Sequence, residues 1–118
     1  MRESELQDLI RLALGRRTDV VMWRNNVGVL ETDSGHHVRY GLAKGSADLI
    51  GIVRMDNGLG RFFALEVKTP TGRVHDDQER WLQLVRSRGG YAAVVRSVDD
   101  AMAAVEAAKS TEASGGGE

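Results

Sequence analysis

The residues of this chain whose types and spacing can do chemistry are two carboxylates and a lysine: Asp48, and the triplet Glu66-Val67-Lys68 that follows 18 positions later. Hard divalent cations such as Mg²⁺ and Mn²⁺ take carboxylate, carbonyl and water oxygens. Asp48, Glu66 and the peptide oxygen of Val67 therefore make a plausible metal-ligand set, and Lys68 supplies a cation for a phosphate or an attacking water. Residues at i and i+2 of a strand share a face. Glu66 and Lys68 would then point together, while Val67 turns into the core and leaves its carbonyl at the metal. That set suits metal-assisted hydrolysis of a phosphodiester. A carboxylate in the interior of an apolar strand costs several kcal/mol unless it is paired or bound. Both acids sit in such strands, Asp-Leu-Ile-Gly-Ile-Val and Ala-Leu-Glu-Val-Lys.

These residues need two adjacent strands to hold them. Ala47 to Arg54 and Arg61 to Lys68 read as apolar strands joined by a turn over residues 55–60, whose Asn57-Gly58 pair favours a tight reversal. Upstream, residues 3–15 have the apolar spacing of an amphipathic helix. Val20 to Thr32 alternates and is interrupted near Asn25-Asn26; Asp33-Ser34-Gly35 has turn chemistry, and His36 to Tyr40 returns as a strand. Downstream, Asp76 and Glu79 form a capping-box pattern opening a helix through Arg88, Tyr91 to Arg96 is a strand, and Ser97 with Asp100 caps a helix to about Lys109. The order is αβββ-αβα in one domain over 1–109, with a Ser/Gly/Glu-rich tail over 110–118 expected to be disordered. Gln78 lies one turn before Trp81 and Leu82 and so points inward.

The runs Gly45-Ser46-Ala47-Asp48-Leu49-Ile50-Gly51 and Ala64-Leu65-Glu66-Val67-Lys68 resemble the PD-(D/E)XK nuclease superfamily, and within it the VRR-NUC family. Trp23-Arg24-Asn25-Asn26-Val27-Gly28, Gly72, Gln78, Trp81 and Gly89-Gly90 resemble that family in order and spacing, so the likeness covers about residues 3 to 105. One position departs: Ala47 stands where the superfamily's naming proline precedes the aspartate. The resemblance implies an α/β, restriction-endonuclease-like mixed sheet flanked by helices and a Mg²⁺- or Mn²⁺-dependent DNA endonuclease leaving a 5′-phosphate and a 3′-hydroxyl. It implies branched DNA of the Holliday junction kind as substrate and a homodimer; the hairpin around Val27 to Tyr40, long for a core of this size and presenting Val29, Val38 and Tyr40, or an exposed helix face is the expected contact. A nuclease of flaps, nicks or single strands and a non-catalytic DNA-binding module are the alternatives.

Site residues follow from the same likeness. Gln78 would hold water or phosphate, or otherwise cap its own helix. A glutamate on the first helix would complete the acidic site: Glu3 if the helix begins there, Glu5 if Ser4 caps it with Gln7 reaching back. Arg24, Asn26, Lys44, Gly45, Ser46 and Arg73 are the expected DNA contacts.

Composition permits this reading. The chain has 118 residues, a net charge of −1, no cysteine and three histidines, so neither a disulfide framework nor a zinc site is expected. No apolar run approaches the roughly 18 residues that span a bilayer, and a cytoplasmic protein is expected. Five acids and one of the basic residues fall from Asp99 onward, so positions 1 to 98 hold 15 basic and 12 acidic residues. Arg16, Arg17, Arg24, Arg39, Lys44, Arg73 and Arg80 would supply a basic DNA-facing surface.

Overall fold

The computed structural model describes residues 1–116. Helix α1 (Glu3–Leu14) leads into β1 (Val20–Arg24), β2 (Gly28–Glu31), β3 (His37–Tyr40), β4 (Leu49–Arg54) and β5 (Gly60–Val67). Helix α2 (Asp76–Ser87), β6 (Tyr91–Val95) and α3 (Val98–Ala108) complete the fold. The main sheet runs β1-β4-β5-β6, antiparallel except for the parallel β5–β6 pair that α2 connects. Set aside the β2–β3 hairpin, which forms its own two-stranded sheet, and the order is the expected αβββ-αβα.

Alternation in β5 divides the interior into two layers. Phe63, Leu65 and Val67 pack with Leu6, Ile10 and Leu14 of α1 and with Ala101, Ala104, Val105 and Ala108 of α3. On the opposite face Ala64 packs with Leu82 of α2 and with Ala92 and Val94 of β6. Side chains this fully buried each contribute about 1.5–3 kcal/mol when large and apolar. Arg61 closes the far end. Only 8% exposed, it donates to the carbonyls of Gly89, Ala108 and Ser110, where α2 and α3 finish, and lies over the Tyr91 ring. Carbonyls at helix ends lack partners within the helix, and an arginine is well suited to both their dipole and their spacing.

Helix α2 covers only the β5–β6 half of its face. Over β1 and β4 the same face shows Val21, Trp23 and Ile52, with Phe62 at its border, each 41–52% exposed. The register Val21↔Ile52 and Ile52↔Phe62 makes three of them one continuous apolar row, and Trp23, opposite Ile50, stands in the next row on the same face. The hairpin is likewise two-faced: Leu30, Val38 and Tyr40 share one side, while Val29 lies opposite with Arg39 and His37.

Residues 110–116, within the stretch expected to lack structure, are held along the sheet edge. The Ala92 and Val94 N–H groups donate to the carbonyls of Ser114 and Gly116, and Arg86 donates to Gly116 as well. The outer donors of β6 need acceptors, and this segment supplies them. Residues 117 and 118 lie outside the described residues. Helix α2 also starts differently from the Asp76–Glu79 box expected: His75 is its N-cap, and the His75 N–H donates to Gln78 Oε1 at 2.9 Å.

Candidate active site

The β4–β5 register, carried one residue beyond Leu49↔Leu65, sets Asp48 opposite Glu66. Asp48 is fixed across the strands by the Val67 N–H, which donates to Oδ2 at 2.8 Å. Glu66 is 2% exposed and Lys68 5%, on the same face, with Lys68 Nζ 3.7 Å from Glu66 Oε2. Gln78 reaches the same oxygen, its Nε2 donating at 3.2 Å, while its Oε1 holds the helix start. One end of the amide thus caps the helix, as one of the two readings expected, while the other end touches Glu66.

Burial first, and then the charge and hydrogen bonding of Asp48, push the Glu66 carboxyl up to about 9; Glu3 adds to the rise and Lys68 opposes it. Glu3 belongs to this cluster by position too. Its Oε2 lies against Gly72, 3.1 Å from where a Cβ would stand, in the loop that follows Lys68. Glu5 faces solvent and pairs with Arg2 at 2.9 Å, and the helix starts at Glu3 with Arg2 as N-cap, so the Ser4 capping box does not form.

This donor set fits a hard divalent cation. Glu66 feels two other carboxylates, Asp48 and Glu3, against one lysine, and the excess negative charge is relieved either by a proton or by a cation. Among the described residues no three His, Cys, Asp or Glu side chains gather as a complete ligand cage. Two carboxylates completed by a peptide oxygen and water are what Mg²⁺ commonly accepts. Asp48, Glu66 and the Val67 carbonyl are the residues that would hold it.

Two polar residues absent from the expected site turn out to hold it in shape. Asn25 donates from Nδ2 to Ser46 Oγ (2.8 Å) and the Ala47 carbonyl (2.9 Å), and its N–H donates to the Asp48 carbonyl (2.8 Å). It thereby sets the approach to Asp48. Arg96 donates to the Thr69 and Gly72 carbonyls, bracing the loop against which Glu3 rests. Nothing in the sequence ties position 25 to 46, or 96 to 69. Both contacts join parts of the chain more than 20 residues apart.

The expected DNA contacts divide. Arg24, Asn26, Lys44 and Arg73 are exposed, and their side chains bond to nothing among the described residues. The Ser46 hydroxyl is used internally, donating to the Ala43 carbonyl at 2.7 Å and accepting from Asn25. Gly45, at φ +85°, backs onto α2: a Cβ there would stand 2.6 Å from the Asp77 carbonyl oxygen. Arg17, counted among the basic surface residues, is committed to Asp19 and Glu106. Beside Asp48 a polar pocket of about 340 Å³ opens between α1 and the base of the hairpin.

No curated protein matches the chain. The sequence profile of one protein family, described as the VRR-NUC domain, matches residues 3–99.

Proposed function

The chain belongs to the VRR-NUC family of nucleases, and from that premise we propose that it is a Mg²⁺- or Mn²⁺-dependent DNA endonuclease that cuts branched DNA as a homodimer, as Holliday junction resolvases do. The observation that carries this reading is the pairing of Asp48 with buried Glu66 across β4 and β5, with Lys68 on the same face. A bound Mg²⁺ or Mn²⁺ would lower the pKa of a water and offset charge on the phosphate. Lys68, held beside Glu66, stabilises negative charge developing on the phosphoryl oxygens. Gln78 keeps the Glu66 carboxylate oriented and offers its amide to the water or phosphate. Asn25 fixes the backbone from which Asp48 extends.

The open apolar face supports the dimer. The row Trp23–Ile50 lies directly beside the row carrying Asp48 and Glu66. Exposed apolar patches of this kind on a soluble domain mark interaction surfaces. A second copy closing on Val21, Trp23, Ile52 and Phe62 would bury them and bring two sites together about a two-fold axis, the symmetry of a junction cut on opposed strands. That surface lies on the main sheet beside the acid cluster, and it is the contact proposed in place of the hairpin.

The test is incubation with end-labelled four-way junctions, flaps, single strands and linear duplex in Mg²⁺, Mn²⁺ or EDTA. Paired, symmetric incisions in junctions that vanish in EDTA are expected. Cleavage restricted to flaps or single strands would replace the resolvase reading, and cleavage that persists in EDTA would remove the metal.

A further inference from the structure

The pocket beside Asp48 has a chemistry of its own. Gln7 from α1, Arg24 at the end of β1, Asn26 from the β1–β2 link, and Tyr40 from β3 line it together with Asp48. All four of those side chains lack a hydrogen-bond partner among the described residues, whereas neighbouring Asn25 spends its amide internally. Four polar side chains that no neighbour among the described residues engages, gathered around one concavity, are an arrangement for a polar ligand. At about 340 Å³ it sits at the small end of ligand pockets, which run from about 300 to 1,000 Å³.

Tyr40 is positioned by construction. It pairs with Gly28 across the hairpin, and a Cβ on Gly28 would stand 2.6 Å from the ring's Cζ. The ring therefore rests on bare backbone at the hairpin base, a placement that any larger residue at position 28 would abolish. It remains 51% exposed. An aromatic ring fixed at one edge of the pocket, an arginine in its wall and two amides facing inward match the parts of one nucleotide: base, phosphate and base edge or sugar.

We propose that this pocket receives an unpaired nucleotide next to the scissile phosphate, its base stacked on Tyr40, its phosphate on Arg24 and its polar edges on Asn26 and Gln7. This rests on the nuclease reading and narrows its substrate to DNA with unpaired or easily unstacked nucleotides at the cut, as at a branch point. Stacking tolerates any base, so the pocket selects structure rather than sequence. A base held in a duplex must first leave its stack, and a base at a branch has less to lose. Sharing Asp48 with the acid cluster places the selected nucleotide at the reacting centre.

The experiment measures affinity in EDTA, where cleavage plays no part. Fluorescence anisotropy compares a labelled paired duplex with the same duplex carrying three unpaired nucleotides at its centre. The wild-type protein is expected to prefer the bulged probe. Tyr40→Ala should lose about tenfold on that probe and less than twofold on the paired one, with Tyr40→Phe restoring the preference. Tyr40→Leu keeps an apolar contact with Gly28 but offers no flat ring, so its equal loss of preference separates stacking from folding. Asn26→Ala should lose several-fold on the bulged probe alone. The proposal is overturned if the wild type shows no preference, or if Tyr40→Ala and Tyr40→Leu weaken both probes alike or neither. Cleavage of the same probes in Mg²⁺ is scored separately. Cutting without Tyr40-dependent preference removes the pocket and leaves the nuclease, while preference without cutting does the reverse.

Discussion

Glu66 is the residue on which most of the site's physics turns. It is buried beside Asp48 with Glu3 close by, and one lysine opposes three acids. Glu66→Gln keeps the shape and the oxygen that accepts from Gln78 while removing a group that the cation-free protein holds, protonated or charged, only at a cost. Cleavage is expected to fall below detection. In EDTA at pH 8 the melting temperature of the variant should equal or exceed that of the wild type, and Mg²⁺ should raise the wild type's and leave the variant's unmoved. A Mg²⁺ shift of equal size in both would take Glu66 out of the cation site. Lys68→Ala should lower kcat by about 10²- to 10³-fold with the Mg²⁺ concentration for half-maximal activity little changed. A large rise in that concentration would instead make Lys68 an organiser of the acids. Asp48, Glu66 and Lys68 were legible because an acid between apolar strand residues is conspicuous and the period of two fixes which side chains share a face. The double engagement of Gln78 was legible only as two alternatives, since sequence shows that an amide points inward without showing that its ends part. Asn25 and Arg96 were illegible because each acts on backbone carbonyls, and a carbonyl has no letter in the sequence.

Elements were legible where their periods were long and clean, and less so at boundaries decided by a single hydrogen bond. Helix α2 begins at Asp76 as its pattern suggests, yet Gln78 takes the reciprocal capping role expected of Glu79, because only Gln78 reaches both the His75 N–H and Glu66. The hairpin's turn was readable, but which of its apolar residues share a side depends on the register, which puts Val29 with Arg39 and leaves Leu30, Val38 and Tyr40 together. The junction of α1 with α3 hangs on charges that no local pattern announces. Arg17 pairs with Asp19 and Glu106, and Lys109 Nζ lies 3.2 Å from Asp19. The Arg17 guanidinium holds the Asp19 carboxyl well below the usual carboxylate range, with Lys109 assisting. A depressed carboxylate stabilises the fold above its unfolded value of about 3.9 and loses that contribution as pH falls through the folded value. Asp19→Asn is therefore expected to cost about 1 kcal/mol at pH 6 and progressively less below pH 4, followed by thermal unfolding across that range. A cost that does not change with pH would place the effect in packing.

At the scale of the whole molecule, the uncovered half of one sheet face and the exposed, unbonded side chains of Arg24, Lys44 and Arg73 make separate predictions. Trp23→Glu puts a charge in the middle of the open face. Light scattering at micromolar concentration should show a dimer for the wild type and a monomer for the variant. A wild-type monomer would discard the dimer while leaving the acid cluster's chemistry intact. DNA affinity should fall steeply with salt, with a log–log slope of at least about −4 if a dimer contacts several phosphates on each side, and a flat response would speak against DNA as the ligand. The segment along β6 carries a different kind of consequence. Ala92 and Val94 donate outward to Ser114 and Gly116 and not to β5, so their amide protons are guarded only by three residues at the sheet's margin. Alternate residues of the same strand face β5. In deuterated water those two protons should exchange on the timescale of a local peel, while their neighbours wait for the sheet to open. One strand would carry two clocks, and the gap between them measures the free energy that fastens the segment to the domain.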